Sequence, residues 1–192
     1  KIDVSGADCY SSDLVAFDSA YRRSWYLNKS QPTRALDYMF GSASAGCTFV
    51  ISKKAALLIV EKIFPYVHSL GERRAHDWLI YAISRSHGLS WYMDTDAPIF
   101  YRQHSQNCYG AQSSLKGLMF KLDLAKKGWY RNQILWHGNF LKLSSIERNI
   151  LLKIERLSFM DRLSLAWNAR YFRRKGTDQI FFSIIILLWL FR

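Results

Sequence analysis

With 192 residues, 49% hydrophobic and 22% charged, the chain can bury a substantial core and is too apolar to be mainly disordered. Its net charge of +12 is uneven: residues 1–100 carry 11 Lys or Arg against 10 Asp or Glu, residues 101–192 carry 16 against 5, and so basic a C-terminal half points to an anionic partner. Three widely spaced cysteines, Cys9, Cys47 and Cys108, without a C-x-x-C pair, argue against a disulfide framework or a zinc site and for a reducing compartment.

Alternation from Ala7 to Phe17 predicts a strand, or a strand with a bulge. Tyr21 to Phe40, with Gln31-Pro32, predicts a surface loop with a helical turn near its end. Within it, Asn28-Lys29-Ser30 spells a glycosylation acceptor, which carries no meaning in a cytosolic protein. Small residues from Gly41 lead into a predicted strand, Cys47 to Ile51, where Gly46 allows close approach of a backbone or a ligand. Ser52 predicts the N-cap of a helix from Lys53 to Phe64, with Leu57, Val60 and Phe64 on one face and Pro65 at its end.

A second helix is predicted from His76 to Gly88, with Leu79, Ala82 and Ile83 as its core stripe and Gly88 as a left-handed terminus. Two short strands follow, Leu89 to Met93 and Pro98 to Arg102, joined by a turn at Asp94-Thr95-Asp96. From Ser113 the pattern is helical. Ser144-x-x-Glu147 and Ser158-x-x-Asp161 read as capping boxes, the first opening a helix with Ile146, Ile150, Ile154 and Leu157 in register. Phe181 to Phe191 is almost wholly apolar, but as a helix it covers only roughly 17 Å, too short to span a bilayer. Two readings remain open for it: an interfacial anchor behind Arg173-Arg174-Lys175, or a helix packed against its neighbours.

Two polar groups stand out. Asp77 falls in a first helical turn, at the positive end of the helix dipole, which suits a general base, although an ordinary helix-start acid looks the same. His76 and Trp78 flank it, and an imidazole and an aromatic beside an acid suit the hydrogen bonding and stacking of a sugar. Arg102 and His104, alternate residues at a strand end, would point one way and Gln103 the other. An Arg with a His suits a diphosphate and its metal. Asp94-Thr95-Asp96 spells the D-x-D of metal-binding sugar-nucleotide enzymes, but turn chemistry explains it better.

The runs GADCYSSDL from Gly6, AGCTFV from Ala45, HDW from His76 and DAPIFYRQHSQNCYGA from Asp96 resemble the second half of bacterial family-2 glycosyltransferases. Within that family they are most similar to the rhamnosyltransferase-like enzymes of surface polysaccharide and O-antigen assembly in the cell envelope. The resemblance implies an α/β fold: a partial GT-A, Rossmann-like unit with a mixed sheet flanked by helices (residues 1–111), then a basic, all-helical region with an apolar terminal helix (residues 112–192). It implies inverting transfer from a nucleotide-sugar donor, with Asp77 as base and a divalent metal, Mg2+ or Mn2+. His76 and Trp78 would line the acceptor side, with Gly46 and Thr48 on the strand supporting that pocket. Arg102, Gln103, Asn107 and Gly110 would lie near the donor diphosphate, and His104 near the metal.

The family's first half, with its metal-holding D-x-D, should precede Gly6, and Ser52 stands where Asn is commoner. The chain alone is therefore expected to be inactive. A glycan or lipid-linked acceptor and an anionic membrane surface are the expected partners. The expected location is the cytoplasm or the inner face of the cell membrane. Nucleic acid is disfavoured, because the tail's cations alternate with apolar core positions rather than flanking a stacking platform. The competing expectation is a non-catalytic glycan- or membrane-binding remnant, in which Asp77 would be dispensable.

Overall fold

The sheet is built on β1 (Cys9–Asp18), whose ten residues are nearly all buried. The computed structural model describes residues 6–69, 75–103 and 115–188. On one side of β1, β2 (Ser24–Leu27) pairs antiparallel with its second half and β3 (Val50–Ile51) with its first. On the other side β4 (Trp91–Gln103) runs parallel along its whole length. The two predicted strands at 89–102 are thus one strand. They do not pair with each other, because both halves pair with β1, and the Asp94–Pro98 segment is a bulge opposite the Ser12/Leu14 step. Locally, a bulge and a hairpin turn carry the same Asp-rich signal.

β2 was not expected; the loop that follows it is exposed over residues 32–35 and ends in the expected helical turn, Asp37–Met39, where Asp37, Tyr38, Met39 and Phe40 are buried. The predicted strand at 47–51 is mostly a 3-10 turn, Gly46–Thr48. There the Thr48 N–H and Oγ1 both donate to the Ala45 carbonyl (2.9 and 2.8 Å), drawing the backbone away from the ladder.

Helix α1 (Lys53–Ile63) starts as expected, with the Ser52 hydroxyl accepting from the Ala55 N–H. Its orientation is the reverse of the expected one. Leu57, Val60 and Phe64 are 62, 59 and 72% exposed, while Ala55 and Ile59 are buried. The helix is apolar on several sides, and the small Ala55 lets it close on Cys9 and Leu89. Helix α2 (His76–Ser86) buries Leu79, Ala82 and Ile83 and ends at Gly88, whose φ of 78° is left-handed.

The remaining helices are α3 (Leu115–Lys126), α4 (Trp129–His137), α5 (Ser145–Arg156), α6 (Phe159–Trp167), α7 (Ala169–Phe172) and α8 (Gly176–Leu187). Both capping boxes are present. In α5, Ile150, Ile154 and Leu157 are buried, whereas Ile146 is exposed, one turn short of the contact. The helices share one apolar cluster with the sheet half: Phe40, Trp78 and Tyr81 meet Ile154, Phe172 and Phe182. Each fully buried side chain of this size contributes roughly 1.5–3 kcal/mol. The result is a mixed α/β unit whose parallel pair β1–β4 brackets the two helices α1 and α2, which agrees with a partial Rossmann-like arrangement.

Candidate active site

The first turn of α2 and the turn at Gly46 meet face to face. A Cβ on Gly46 would lie 3.1 Å from the Asp77 Cβ and 3.2 Å from the His76 Nε2, so only glycine lets this backbone approach so closely without displacing them. His76 is exposed and Asp77 half-buried. Asp77 Oδ1 accepts from the Trp78 N–H at 2.9 Å, occupying one of the orphan donors of the helix start. Ala75, at the N-cap, offers no side chain, and its N–H donates to Gln133 Oε1 of α4.

The Gly46 turn is anchored from two directions. The Ser44 hydroxyl donates to the Ser12 carbonyl of β1 (2.7 Å), and Arg174 Nη2 donates to the Ser42 and Ala43 carbonyls (2.5 and 2.9 Å). Cys47 stands exposed beside this junction. Partial burial, and after it the neighbouring Asp77 charge, raise its thiol above the ordinary range.

The other expected site residues take different places. Thr48 is buried and closes the turn. Trp78 is in the core: its indole N–H donates to the Tyr38 carbonyl (2.8 Å), and its ring stands edge-on to His137. It also lines a cavity of about 60 Å³ with Phe40, Tyr130, Ile134 and Phe182, room for a handful of waters but not for a hexose. Arg102 and Gln103 sit at the far end of β4, opposite Phe17 and Asp18, roughly 17 Å along β1 from Ser12. His104, Asn107 and Gly110 lie outside the described residues.

The D-x-D resolves as structure. Asp94 is buried, with Oδ2 accepting from Tyr10 (2.8 Å) and Oδ1 from the Asp96 N–H (3.1 Å). Among the described residues no three His, Cys, Asp or Glu side chains converge to hold a metal ion.

Two further carboxylates, Asp13 and Asp37, are buried. Asp13, at the bulge of β1, accepts from the Tyr26 hydroxyl and the Lys29 and Ser30 N–H groups, all at 2.6 Å, and fastens the segment after β2. The Asp13 hydrogen bond pushes the Tyr26 phenol up to about 12. Asp37 accepts from Tyr81 (3.0 and 3.1 Å) and pairs with Arg85 and Arg174, each at 3.5 Å. Neither carries a local signal in the sequence, because the partners that define each one are far apart in the chain.

The chain is similar to a sugar transferase. Over 187 residues, 97% of its length, it is 32% identical to the dTDP-rhamnosyl transferase RfbG of Shigella flexneri. It spans 63% of that relative. No protein-family model and no solved structure matches it. The aligned region takes in both the Gly46 turn and the start of α2, so the junction described above belongs to the shared part.

Proposed function

We propose that this chain is the acceptor-side part of a GT-A, family-2-like rhamnosyltransferase acting on a surface glycan. The observation that carries the proposal is the packing of Gly46 against His76 and Asp77, within a chain similar over 97% of its length to a dTDP-rhamnosyl transferase. Asp77 is the general base. With Oδ1 held by the Trp78 N–H, Oδ2 takes the proton of the acceptor hydroxyl. The acceptor oxygen bonds to the anomeric carbon from the face opposite the leaving group, the bond from that carbon to the diphosphate breaks, and the nucleoside diphosphate departs with inversion. His76, exposed at the same turn, orients the acceptor. Arg102 and Gln103, roughly 17 Å along β1 from Ser12, have no part in this step.

Each of these steps is carried by the chain's own residues, and none runs through a metal. The chain spans 63% of that relative's length, which leaves room in such a protein for a donor-binding segment. The acceptor is a glycan on a lipid carrier.

The test is a transfer assay with dTDP-rhamnose on a protein joining this chain to such a segment. Asp77→Asn should lower kcat by ~10²–10⁴ with the urea midpoint unchanged. Undiminished transfer by the variant would refute Asp77 as the base, whereas a joined protein that binds glycan but transfers no sugar would make a glycan-binding remnant the better description. The 192-residue chain by itself should transfer little or no sugar, and robust transfer by it with dTDP-rhamnose and manganese would overturn the division of labour.

A further inference from the structure

Helices α6 and α8 lie antiparallel. The Arg162 guanidinium donates to the Leu187 carbonyl (3.2 Å), and the Ser183 hydroxyl to the Ala166 carbonyl (3.1 Å), so the start of α6 meets the end of α8. Each buries one face in the same core, α6 through Leu165 and α8 through Phe182, Ile185 and Ile186. The opposite faces are apolar as well. On α6, Phe159, Leu163 and Trp167 recur every four residues; on α8, Ile180, Ile184 and Leu188 do the same. All six are exposed, Trp167 by 84%. Because the two helices share their core side and their mutual contact, the two stripes point outward on the same side. They form a ridged apolar plane about 12 Å long.

We propose that this plane is a docking face for an anionic lipid bilayer. Two observations select that occupant. Trp167 is the most exposed large apolar side chain of the described residues, and an indole with an apolar body and a polar N–H suits the headgroup boundary. The charge around the plane is positive. From Phe159 to Leu188 the two carboxylates are ion-paired, Asp161 to Arg156 and Asp178 to Arg173, and Arg174 pairs with buried Asp37; the remaining cations of this stretch are Arg162, Arg170 and Lys175. Arg162 leans over the Phe159 ring (5.8 Å) and Arg170 is exposed near Trp167, so the stripe is flanked by cations and not by acids. A second copy would bring the same cations together, which opposes self-association. Among the described residues no helix is long and apolar enough to cross a membrane.

Binding to vesicles does not depend on sugar transfer, so this proposal can fail or stand independently of the transferase assignment. The experiment is co-sedimentation of the 192-residue chain with phosphatidylcholine vesicles, with and without about one-third phosphatidylglycerol. The chain should bind the anionic vesicles, lose most binding in high salt, and show a blue shift of tryptophan emission that Trp167→Phe abolishes. Trp167→Ser with Ile184→Ser should weaken binding by at least about tenfold. Both positions are exposed, and unchanged thermal midpoints would verify folding. Leu57→Ser with Phe64→Ser, an equal apolar loss on α1, should leave binding intact. Equal binding to neutral vesicles, an α1 variant as impaired as the α6–α8 variant, or a concentration-dependent dimer abolished by the α6–α8 substitutions would overturn the proposal.

Discussion

Arg174→Met tests whether the basic C-terminal region is structurally joined to the sheet. The Arg174 guanidinium reaches Asp37 at 3.5 Å while donating to the Ser42 and Ala43 carbonyls. At that separation and an effective dielectric near 20, the Coulomb attraction is about 5 kcal/mol gross. Burial of the arginine opposes it, and lowers its pKa for the same reason. Methionine fills much of the volume but leaves Asp37 with Arg85 and Tyr81 only, and leaves two carbonyls without their charged donor. A net loss of ~3–5 kcal/mol follows, equivalent to roughly 6–20 °C in Tm for a chain of this size. Urea unfolding of Arg174→Met, Asp37→Asn and the double variant measures both the loss and the coupling, which should be ~1–3 kcal/mol. Arg148→Met, at an exposed position, should stay within about 0.5 kcal/mol of the parent. A loss below about 1 kcal/mol for Arg174→Met, or additivity of the two single changes, would refute the claim that this cluster ties the regions together.

Two further consequences concern the Gly46 junction. Gly46→Ala places a methyl 3.1 Å from the Asp77 Cβ, so the turn or the start of α2 must move by a few tenths of an ångström. Stability should fall by only ~1 kcal/mol while transfer by the completed enzyme falls about tenfold or more, read as kcat beside a urea curve. Maleimide labelling at neutral pH should modify exposed Cys47 slowly and buried Cys9 only after unfolding, because burial holds the Cys9 thiol up to about 11. Raising the pH should speed Cys47 labelling first, since its raised pKa keeps the thiolate scarce at neutrality. Peptide mapping by mass spectrometry would count Cys9 labelling in the native state as a contrary result.

What could be read locally was read from the sequence. Ser52, Ser144 with Glu147, Ser158 with Asp161, and Gly88 all act within four residues, and each does what its local chemistry requires. The errors come where distant residues decide. Asp94-Thr95-Asp96 has the composition of a turn, and only its pairing with β1, some 80 residues earlier, shows it to be a bulge in one strand. Helix α1 is apolar on more than one side, so periodicity could not choose between Ile59 and Leu57 as the core position; the close fit of Ala55 did. The candidate site divides in the same way. Gly46, His76 and Asp77 each carried a chemical signal, and the structure brings them into contact. Trp78 carried one too, yet its bond to Tyr38 places it in the core. Asp37 had no signal of its own, because its meaning lies in Tyr81, Arg85 and Arg174.

Those long-range contacts give the C-terminal region a place in the chemistry that its sequence alone does not suggest. Arg174 lies two residues before α8 and holds the carbonyls of Ser42 and Ala43; Ser44 is fastened to β1; two residues later Gly46 packs on Asp77. Each link is a hydrogen bond or a van der Waals contact between buried or half-buried groups, so the turn that abuts the proposed base is braced on one side by the sheet and on the other by the helices. A general base is effective only when held within a fraction of an ångström of its acceptor. The helical region therefore contributes positional rigidity at Gly46.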